Sequence, residues 1–416
     1  MKRLLIITYY WPPTGGSGVQ RWVKFSKYLP QFGWQPVIYT PENPERLAVD
    51  ESLLADIPDS AEIIKTRICE PYGLYRRLTG SKTGAEVNPL NSQKKSLKKR
   101  ISLWLRGNLF VPDPRVSWVR PSVRFLSKYL REHPVDAVVT TGPPQSMHLI
   151  GRGLKRKLGV RWIADFRDPW TEMFYYKHLC LTPCSDRKHH LMEQSVLDEA
   201  DQVIAVSPRV QADFAARTST PVRLITNGYD EDDFKGIAAR PHPDRLTLVH
   251  TGLFAADGNP LGLWDAIARK CREDKEFRGR LQIRLAGKTD PEIIEAIRER
   301  GLGDSLVNLG YLPHERTVQE QRDADILLLP LRQEPEYSKV LPGKIFEYLA
   351  SGRPVLGIGQ KDSAAADILR DSGAGEMFDW SDGDALIEFI CSFRPSRHGT
   401  ERYSRRNLTA QLVELL

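Results

Sequence analysis

The feature that most limits the fold of this chain is the regular return of short apolar runs. Each is bounded by Gly, Pro, Asp or Asn, and helix-period patterns lie between them. In the first half the runs are Leu4–Ile7, Pro36–Tyr39, Ala137–Thr140, Trp162–Ala164, Gln202–Val206 and Val222–Ile225. In the second they are Leu246–His250, Gln282–Ala286, Leu306–Leu309, Ile326–Leu329 and Pro354–Gly357. Runs this short and rich in Val, Ile and Leu read as strands buried on both faces, and their alternation with helices builds parallel sheets. The fold class is therefore α/β, with two Rossmann-like, doubly wound domains. A length of 416 residues suits two domains, and the seam is placed at 235–244, where periodicity lapses and Pro241 and Pro243 fall. The first domain is set at 1–238, the second at 244–398, and a terminal segment at 399–416 carries Leu408, Leu412 and Leu415 on one face.

Charge and cysteine content narrow the setting. Lys and Arg outnumber Asp and Glu by 60 to 53, a surplus that fits phosphates or an anionic membrane surface and gives no argument for nucleic acid. Five cysteines, an odd number, argue against a disulfide framework and for a reducing cytoplasm. Met1-Lys2-Arg3 followed by Leu4–Ile7 mimics a signal peptide, but the apolar run stops at Tyr9-Tyr10-Trp11-Pro12-Pro13 and reads as a first strand. No apolar run reaches about 18 residues, so no membrane span is expected. The segment 91–112 is free of acidic residues and holds Lys94, Lys95, Lys98, Lys99, Arg100 and Arg106, with Leu97, Ile101, Trp104 and Leu105 on one helical face. Such a basic amphipathic helix suits an anionic bilayer, placing the protein in the cytoplasm or peripherally on the inner membrane face. The alternative is an apolar stripe packed on its own domain.

Several motifs carry chemistry. After the first strand, Thr14-Gly15-Gly16-Ser17-Gly18 leads into an amphipathic helix, a turn where a phosphate or sugar can approach the backbone and meet free N–H groups. Its spacing is not that of a dinucleotide fingerprint. Asp165-Phe166-Arg167-Asp168-Pro169-Trp170 follows a strand, and its carboxylates and guanidinium suit sugar hydroxyls or a catalytic base. His178, Cys180, Cys184, His189 and His190 match no common zinc spacing and are read as solvated loop residues, so no metal is expected. The sharpest motif runs from Lys339 to Leu356. Pro342 and Gly352 bracket a helix of two to three turns, Gly343 permits backbone approach at its start, Lys344 adds a cation, and Glu347 can accept both hydroxyls of a ribose.

These motifs, with Ile225-Thr226-Asn227-Gly228-Tyr229-Asp230 and Val307-Asn308-Leu309-Gly310-Tyr311-Leu312, resemble family 4 glycosyltransferases across most of the chain except about 70–125 and 171–195. The Asp165–Trp170 stretch and Val111-Pro112-Asp113-Pro114 resemble a subgroup active in bacterial surface-polysaccharide assembly. The resemblance implies a GT-B fold, two domains facing across a cleft, with the terminal helix crossing back to the first. It implies transfer of a hexose from a nucleotide diphosphate sugar to a hydroxyl of a polyprenyl-linked or other saccharide, with retention and without metal or cofactor.

It also implies roles. Glu347 would hold the ribose, Gly343 and Lys344 the diphosphate, and Tyr311 and Leu312 the base. Gly15, Gly16 and Gly18, joined by Arg167 and Asn227, would form the loop facing phosphates and acceptor, with Asp165 or Asp168 orienting the acceptor hydroxyl and Lys344 aiding departure of the diphosphate. Lys339 stands where the family has a further glutamate, and His250-Thr251-Gly252-Leu253 replaces the family's basic residues. Arg332, Lys288 and Lys344 are candidate compensating cations, and Thr251 and Gly252 are further candidate donor contacts. A nucleotide-sugar epimerase or hydrolase would turn over donor alone, and a non-catalytic nucleotide-binding scaffold would turn over nothing.

Overall fold

A computed structural model describes residues 1–45, 49–70, 104–173, 176–240, 242–396 and 398–416. It divides into two compact units, Met1–Thr226 with Leu408–Leu416, and Asn227–Asn407. The division falls at Thr226, ahead of the Pro-containing stretch 235–244, because Tyr229 bridges Ser404 in the second unit. The helix Arg405–Glu414 carries the chain into the first unit, where Leu408 and Leu412 are buried.

The first unit holds β1 (Lys2–Ile7), β2 (Trp34–Pro41), β3 (Glu62–Thr66), β4 (Ala137–Gly142), β5 (Trp162–Phe166), β6 (Gln202–Ala205) and β7 (Val222–Leu224). They form one sheet in the order β3-β2-β1-β4-β5-β6-β7, with parallel pairing throughout. The second unit holds β8 (Leu246–Thr251), β9 (Leu281–Ala286), β10 (Leu306–Gly310), β11 (Ile326–Pro330), β12 (Val355–Ile358) and β13 (Gly375–Phe378). Their order, β10-β9-β8-β11-β12-β13, repeats the same winding and is again parallel. Every apolar run read from the sequence overlaps one of these strands, with Val206, Ile225 and Pro354 falling one residue outside. β3 and β13, not foreseen, are the edge strands of their sheets.

Parallel strands with helices on both faces must be apolar on both, and β1 obeys this with Leu4, Leu5, Ile6 and Ile7 all fully buried. Leu4 and Ile6 pack with Trp22, Phe25, Ile163 and Leu408 on one face, while Leu5 and Ile7 pack with Trp118, Val138 and Trp162 on the other. Each such side chain contributes about 1.5–3 kcal/mol of burial free energy.

One polar pair interrupts that core. Arg21, on the helix Ser17–Tyr28, and Asp165, at the end of β5, are both fully buried and meet at 2.8 Å. Trp22 Nε1 and Thr141 Oγ1 also donate to Asp165, and Arg21 donates to the carbonyls of Ile225 and Thr226. Burial pushes the Asp165 carboxyl up, but Arg21 and these donors pull it to a net position below the usual carboxylate range. Asp165 is thus a fixed internal anion with its lone pairs engaged, which corrects its assignment as a catalytic group.

Removing one partner leaves a buried charge uncompensated, so Arg21→Met should destabilise the first unit by about 3–5 kcal/mol in urea melts followed by circular dichroism. Adding Asp165→Leu should recover much of that loss. Because the folded carboxyl sits lower than the unfolded one, this stabilisation is present above the unfolded value and disappears as pH falls through the folded one. The wild-type acid transition should therefore flatten in the double variant. A melt of Arg21→Met matching wild type would show the pair to be energetically idle.

Candidate functional site

Each sheet reverses its strand order once, between β1 and β4 and between β8 and β11, and open parallel sheets bind ligands outside the carboxyl ends of strands at such points. In the second unit β8 ends at Thr251. Gly252 follows at φ 88 and Gly287 ends the neighbouring strand at φ 127. A Cβ on Gly287 would strike the Gly252 carbonyl, so this shelf of bare backbone requires glycine. Beside it the helix Lys344–Ser351 begins at Gly343 without a side-chain cap and ends at Gly352 with φ 89. No atom lies within 4 Å of where a Gly343 Cβ would stand, so the helix start is open on that side; the Ile345 and Phe346 N–H groups donate to the Pro342 and Gly343 carbonyls, and those of Gly343 and Lys344 have no hydrogen-bond partner among the described residues.

Lys344 Nζ donates to the Leu253 carbonyl at 3.1 Å and meets His250 Nε2 at 2.9 Å. Burial holds the His250 imidazole well below its ordinary value, and Lys344 lowers it further, so His250 is neutral and accepts at Nε2. Its Nδ1 is buried without a hydrogen-bond partner among the described residues. Burial also brings Lys344 down to about 8, with Glu347 opposing that shift.

Glu347 lies one turn on. Its Oε2 accepts from Gln321 Nε2 at 3.0 Å, and the fully buried Gln321 also donates to Thr251 Oγ1 at 3.1 Å. Tyr348 OH accepts the Thr251 N–H at 2.9 Å. Glu347 is thereby oriented through Oε2, while Oε1 has no hydrogen-bond partner among the described residues. The structure brings together Thr251, Gly252, Gly343, Lys344 and Glu347, and adds His250, Gln321 and Tyr348, which the sequence reading left without roles. Gln321 lies on the helix His314–Asp323, where nothing in the sequence marks it as a second support for Glu347.

The other proposed donor contacts are less uniform. Tyr311 is 85% exposed after β10, Leu312 is half-buried, and Lys288 is exposed just past Gly287. Arg332 follows β11, but its guanidinium forms an ion pair with Asp257, so it is a matched charge, not a spare cation. Lys339 ends the short turn Pro335–Lys339 that precedes the helix, and Glu334, at the head of that turn, has a buried Oε2 with no hydrogen-bond partner.

In the first unit Gly16 sits at φ 110 with open space around it, and the helix Ser17–Tyr28 that follows has no side-chain cap. Gly15 packs close to Asp50. Gly18 is glycine for a different reason from the one expected: a Cβ there would collide with Arg167 Nη1, which donates to the Gly18 carbonyl at 2.7 Å. Arg167 also donates to the carbonyls of Gly142 and Pro143, so it ties β4 to this helix. Asp168 is half-buried and its carboxylate has no hydrogen-bond partner among the described residues. Burial pushes it up and Arg167 pulls it partly back. Of the two aspartates, Asp168 is the available one. Asn227 belongs to the second unit and is not part of this glycine turn.

Two further expectations change. Cys184, His189 and His190 lie on the helix Pro183–Glu199, and His189 is not solvated but 2% exposed, its Nδ1 accepting from Trp170 Nε1 at 3.0 Å. A signal was present: Thr182-Pro183 starts a helix, and His189, Glu193, Val196 and Leu197 fall on one stripe. Of the basic segment 91–112, residues 91–103 lie outside the described residues, taking with them Lys94, Lys95, Leu97, Lys98, Lys99, Arg100 and Ile101. Residues 104–109 are helical, and Asn108 pins them to the 180–182 loop through the Cys180 carbonyl and the Thr182 N–H. Trp104 and Leu105 remain 44% and 39% exposed. Among the described residues no helix is long and apolar enough to cross a membrane.

Comparison with known proteins gives the family. The profile of Glycosyltransferase Family 4 matches residues 16–233, and that of Glycosyl transferases group 1 matches residues 245–393. Among curated proteins no sequence matches the chain. Among solved structures, the sucrose-phosphate synthase of Thermosynechococcus elongatus is similar with a TM-score of 0.62 at 16% identity, covering 100% of this chain and 98% of that one. The lipopolysaccharide outer core galactosyltransferase WaaB gives 0.59 at 15% identity, covering 100% and 99%. An Escherichia coli trehalose-6-phosphate structure bound with UDP-2-fluoro glucose gives 0.58 at 11% identity, covering 100% and 96%. With one profile spanning most of the first unit, another most of the second sheet, and neighbours of GT-B architecture, the chain is a glycosyltransferase that belongs to Glycosyltransferase Family 4.

Proposed function

We propose that the protein transfers a hexose from a nucleotide diphosphate sugar to a hydroxyl of a saccharide acceptor in bacterial polysaccharide assembly, with retention at the anomeric carbon. The observation that carries this reading is the uncapped start of the helix Lys344–Ser351 beside the Gly252 shelf, with Lys344 and Glu347 on it. The free N–H groups and Lys344 would hold the diphosphate, and Glu347 Oε1 would accept the ribose hydroxyls. In the reaction the acceptor oxygen bonds to the anomeric carbon, the bond from that carbon to the diphosphate oxygen breaks, and the nucleoside diphosphate leaves with the electron pair. The acceptor proton passes to the departing phosphate. Lys344 and the helix start stabilise the charge that develops on the leaving group, so the reading calls for no metal.

The similarity to the galactosyltransferase WaaB, and to WaaG, a glycosyltransferase of lipopolysaccharide biosynthesis, supports a lipid-linked acceptor. The basic segment 91–112 would then hold the enzyme on the inner face of the cytoplasmic membrane. A second reading is favoured by similarity to a putative UDP-N-acetylglucosamine 2-epimerase of Listeria monocytogenes: turnover of the donor alone. Incubating donor sugar with and without acceptor separates the two.

The first test is a thermal-shift series with UDP, GDP, ADP and dTDP. A ligand of the folded state at about 100 times its dissociation constant adds about 2.7 kcal/mol, so one nucleotide should raise Tm clearly, and Glu347→Ala should abolish that rise. No shift with any of the four would overturn the donor site. The second test is pH. Lys344 is charged below about 8 and neutral above it, so affinity for the bound nucleoside diphosphate should fall as pH rises through about 8. Glu347→Gln removes the charge that raises Lys344, so the lysine's side-chain NMR titration should move below that value. A midpoint unchanged by Glu347→Gln would mean that the two groups do not interact.

A further inference from the structure

The second unit carries a groove at the end of its sheet opposite the Gly252 shelf. Arg245, Asp325 and Arg353 stand just ahead of β8, β11 and β12, so the groove opens at the amino ends of those strands. Arg280 closes the helix Lys275–Arg280, and Arg394 follows the helix Gly383–Ser392. The length of β8 puts about 17 Å between this groove and the shelf. Its volume is about 540 Å³, within the range of small-molecule sites. Its charge is one-sided, with four guanidiniums and one carboxylate in the lining. That carboxylate is already engaged: Asp325 Oδ2 accepts from Thr247 N at 2.7 Å and from Thr247 Oγ1 at 2.9 Å. Among the described residues Arg245 and Arg394 have no carboxylate partner, and Arg280 pairs loosely with Glu276 at 3.8 Å.

Cations at helix ends complement the carbonyl dipole, which accounts for part of the cluster. Arg394 Nη1 donates to the Phe393 carbonyl at 2.8 Å, and Arg353 Nε donates to the Arg322 carbonyl at 2.7 Å. Such bonds leave the charge itself unneutralised. They also leave out Arg245, which precedes a strand and makes no side-chain hydrogen bond among the described residues. Guanidinium forks pair bidentately with phosphate oxygens, and four of them exceed what a single phosphate needs. Phe277, Ile390 and Phe393 add an apolar wall that suits the organic body of such a ligand. We propose that this groove binds an anion with two phosphoryl groups, free or borne by a lipid, at a site separate from the donor shelf and independent of what that shelf holds.

Cys391, an exposed thiol on the groove wall, reports occupancy locally. The full chain is alkylated with iodoacetamide, a neutral reagent, at an ionic strength matched with sodium chloride, and each cysteine is followed by peptide mass spectrometry. Pyrophosphate should slow the alkylation of Cys391 and leave that of Cys69, an exposed thiol of the first unit, unchanged. Arg245→Gln combined with Arg394→Gln should raise the pyrophosphate concentration needed by about tenfold or more. Either single change serves if the pair lowers Tm. Glu347→Ala, at the donor shelf, should leave the protection intact. In a second arm, vesicles of phosphatidylcholine with and without cardiolipin replace pyrophosphate. Protection by pyrophosphate marks a soluble ligand, and protection by the cardiolipin vesicles alone marks a lipid headgroup. No protection in either arm, or protection by phosphatidylcholine alone, overturns the proposal. Equal protection of a folded arginine variant overturns it as well, and so does protection lost in Glu347→Ala, which would place the anion at the donor shelf.

Discussion

The first unit is organised around a guanidinium and a carboxylate that never meet water. Arg21 and Asp165 join the helix after β1 to the end of β5, and Arg21 reaches on to the carbonyls that follow β7. A buried pair of this kind adds little net stability over a well-packed apolar one, yet losing either partner is costly, so it fixes arrangement more than it adds free energy. What it fixes here is the pair of segments proposed to face the acceptor. Arg167 and Asp168 stand two and three residues beyond the pinned carboxylate, and the helix carrying Arg21 also carries the glycine turn. With the pair in place, Arg167 can close on the Gly18 carbonyl and leave Asp168 as the carboxylate without a hydrogen-bond partner in that loop.

Both sheets concentrate electrostatic opportunity at their carboxyl ends, for a reason built into parallel winding. Every strand delivers its chain to that end, and helix starts, whose first N–H groups have no intrahelical acceptor, gather there. Proteins ordinarily meet buried polar atoms with partners. Here His250 Nδ1 and Gln321 Oε1 in the second unit, and His189 Nε2 and Gln145 Oε1 in the first, go without one among the described residues. His148, behind the β4 turn, shows the same tendency: burial drives it down to about 3, and its Nε2 also lacks a partner.

How much of this the sequence disclosed depended on how local the signal was. Core strands were legible because burial on both faces makes a run apolar throughout. β3, Glu62–Thr66, was not, because as an edge strand it alternates half-buried and exposed residues and reads as polar. The helix at Lys344 was legible from its brackets, Pro342, Gly352 and Pro354. Asp165 was misread because the strand was ended at Ala164. Extended to Phe166, it places Asp165 inside the sheet, facing a helix, where a carboxylate needs a permanent partner. That partner is Arg21, far away in the chain, and no local pattern announces a contact of that range. The support that Gln321 gives Glu347 was hidden for the same reason.

Lys344 draws these threads into one chemical argument. Its ammonium is desolvated, faces a neutral imidazole at His250, and has Glu347 as its favourable charge, which leaves it only partly compensated. A lysine held at about 8 is under pressure to find a counter-ion, and the diphosphate of the proposed donor, beside an uncapped helix start, would relieve that pressure. An arginine would stay charged without help and present a planar fork suited to bidentate pairing, whereas a compact ammonium can follow a charge that grows on a single oxygen. The neutrality of His250 matters in turn, because a second cation there would depress Lys344 further. Within β8 that histidine is buried and neutral, and it accepts a hydrogen bond from the lysine that carries the charge.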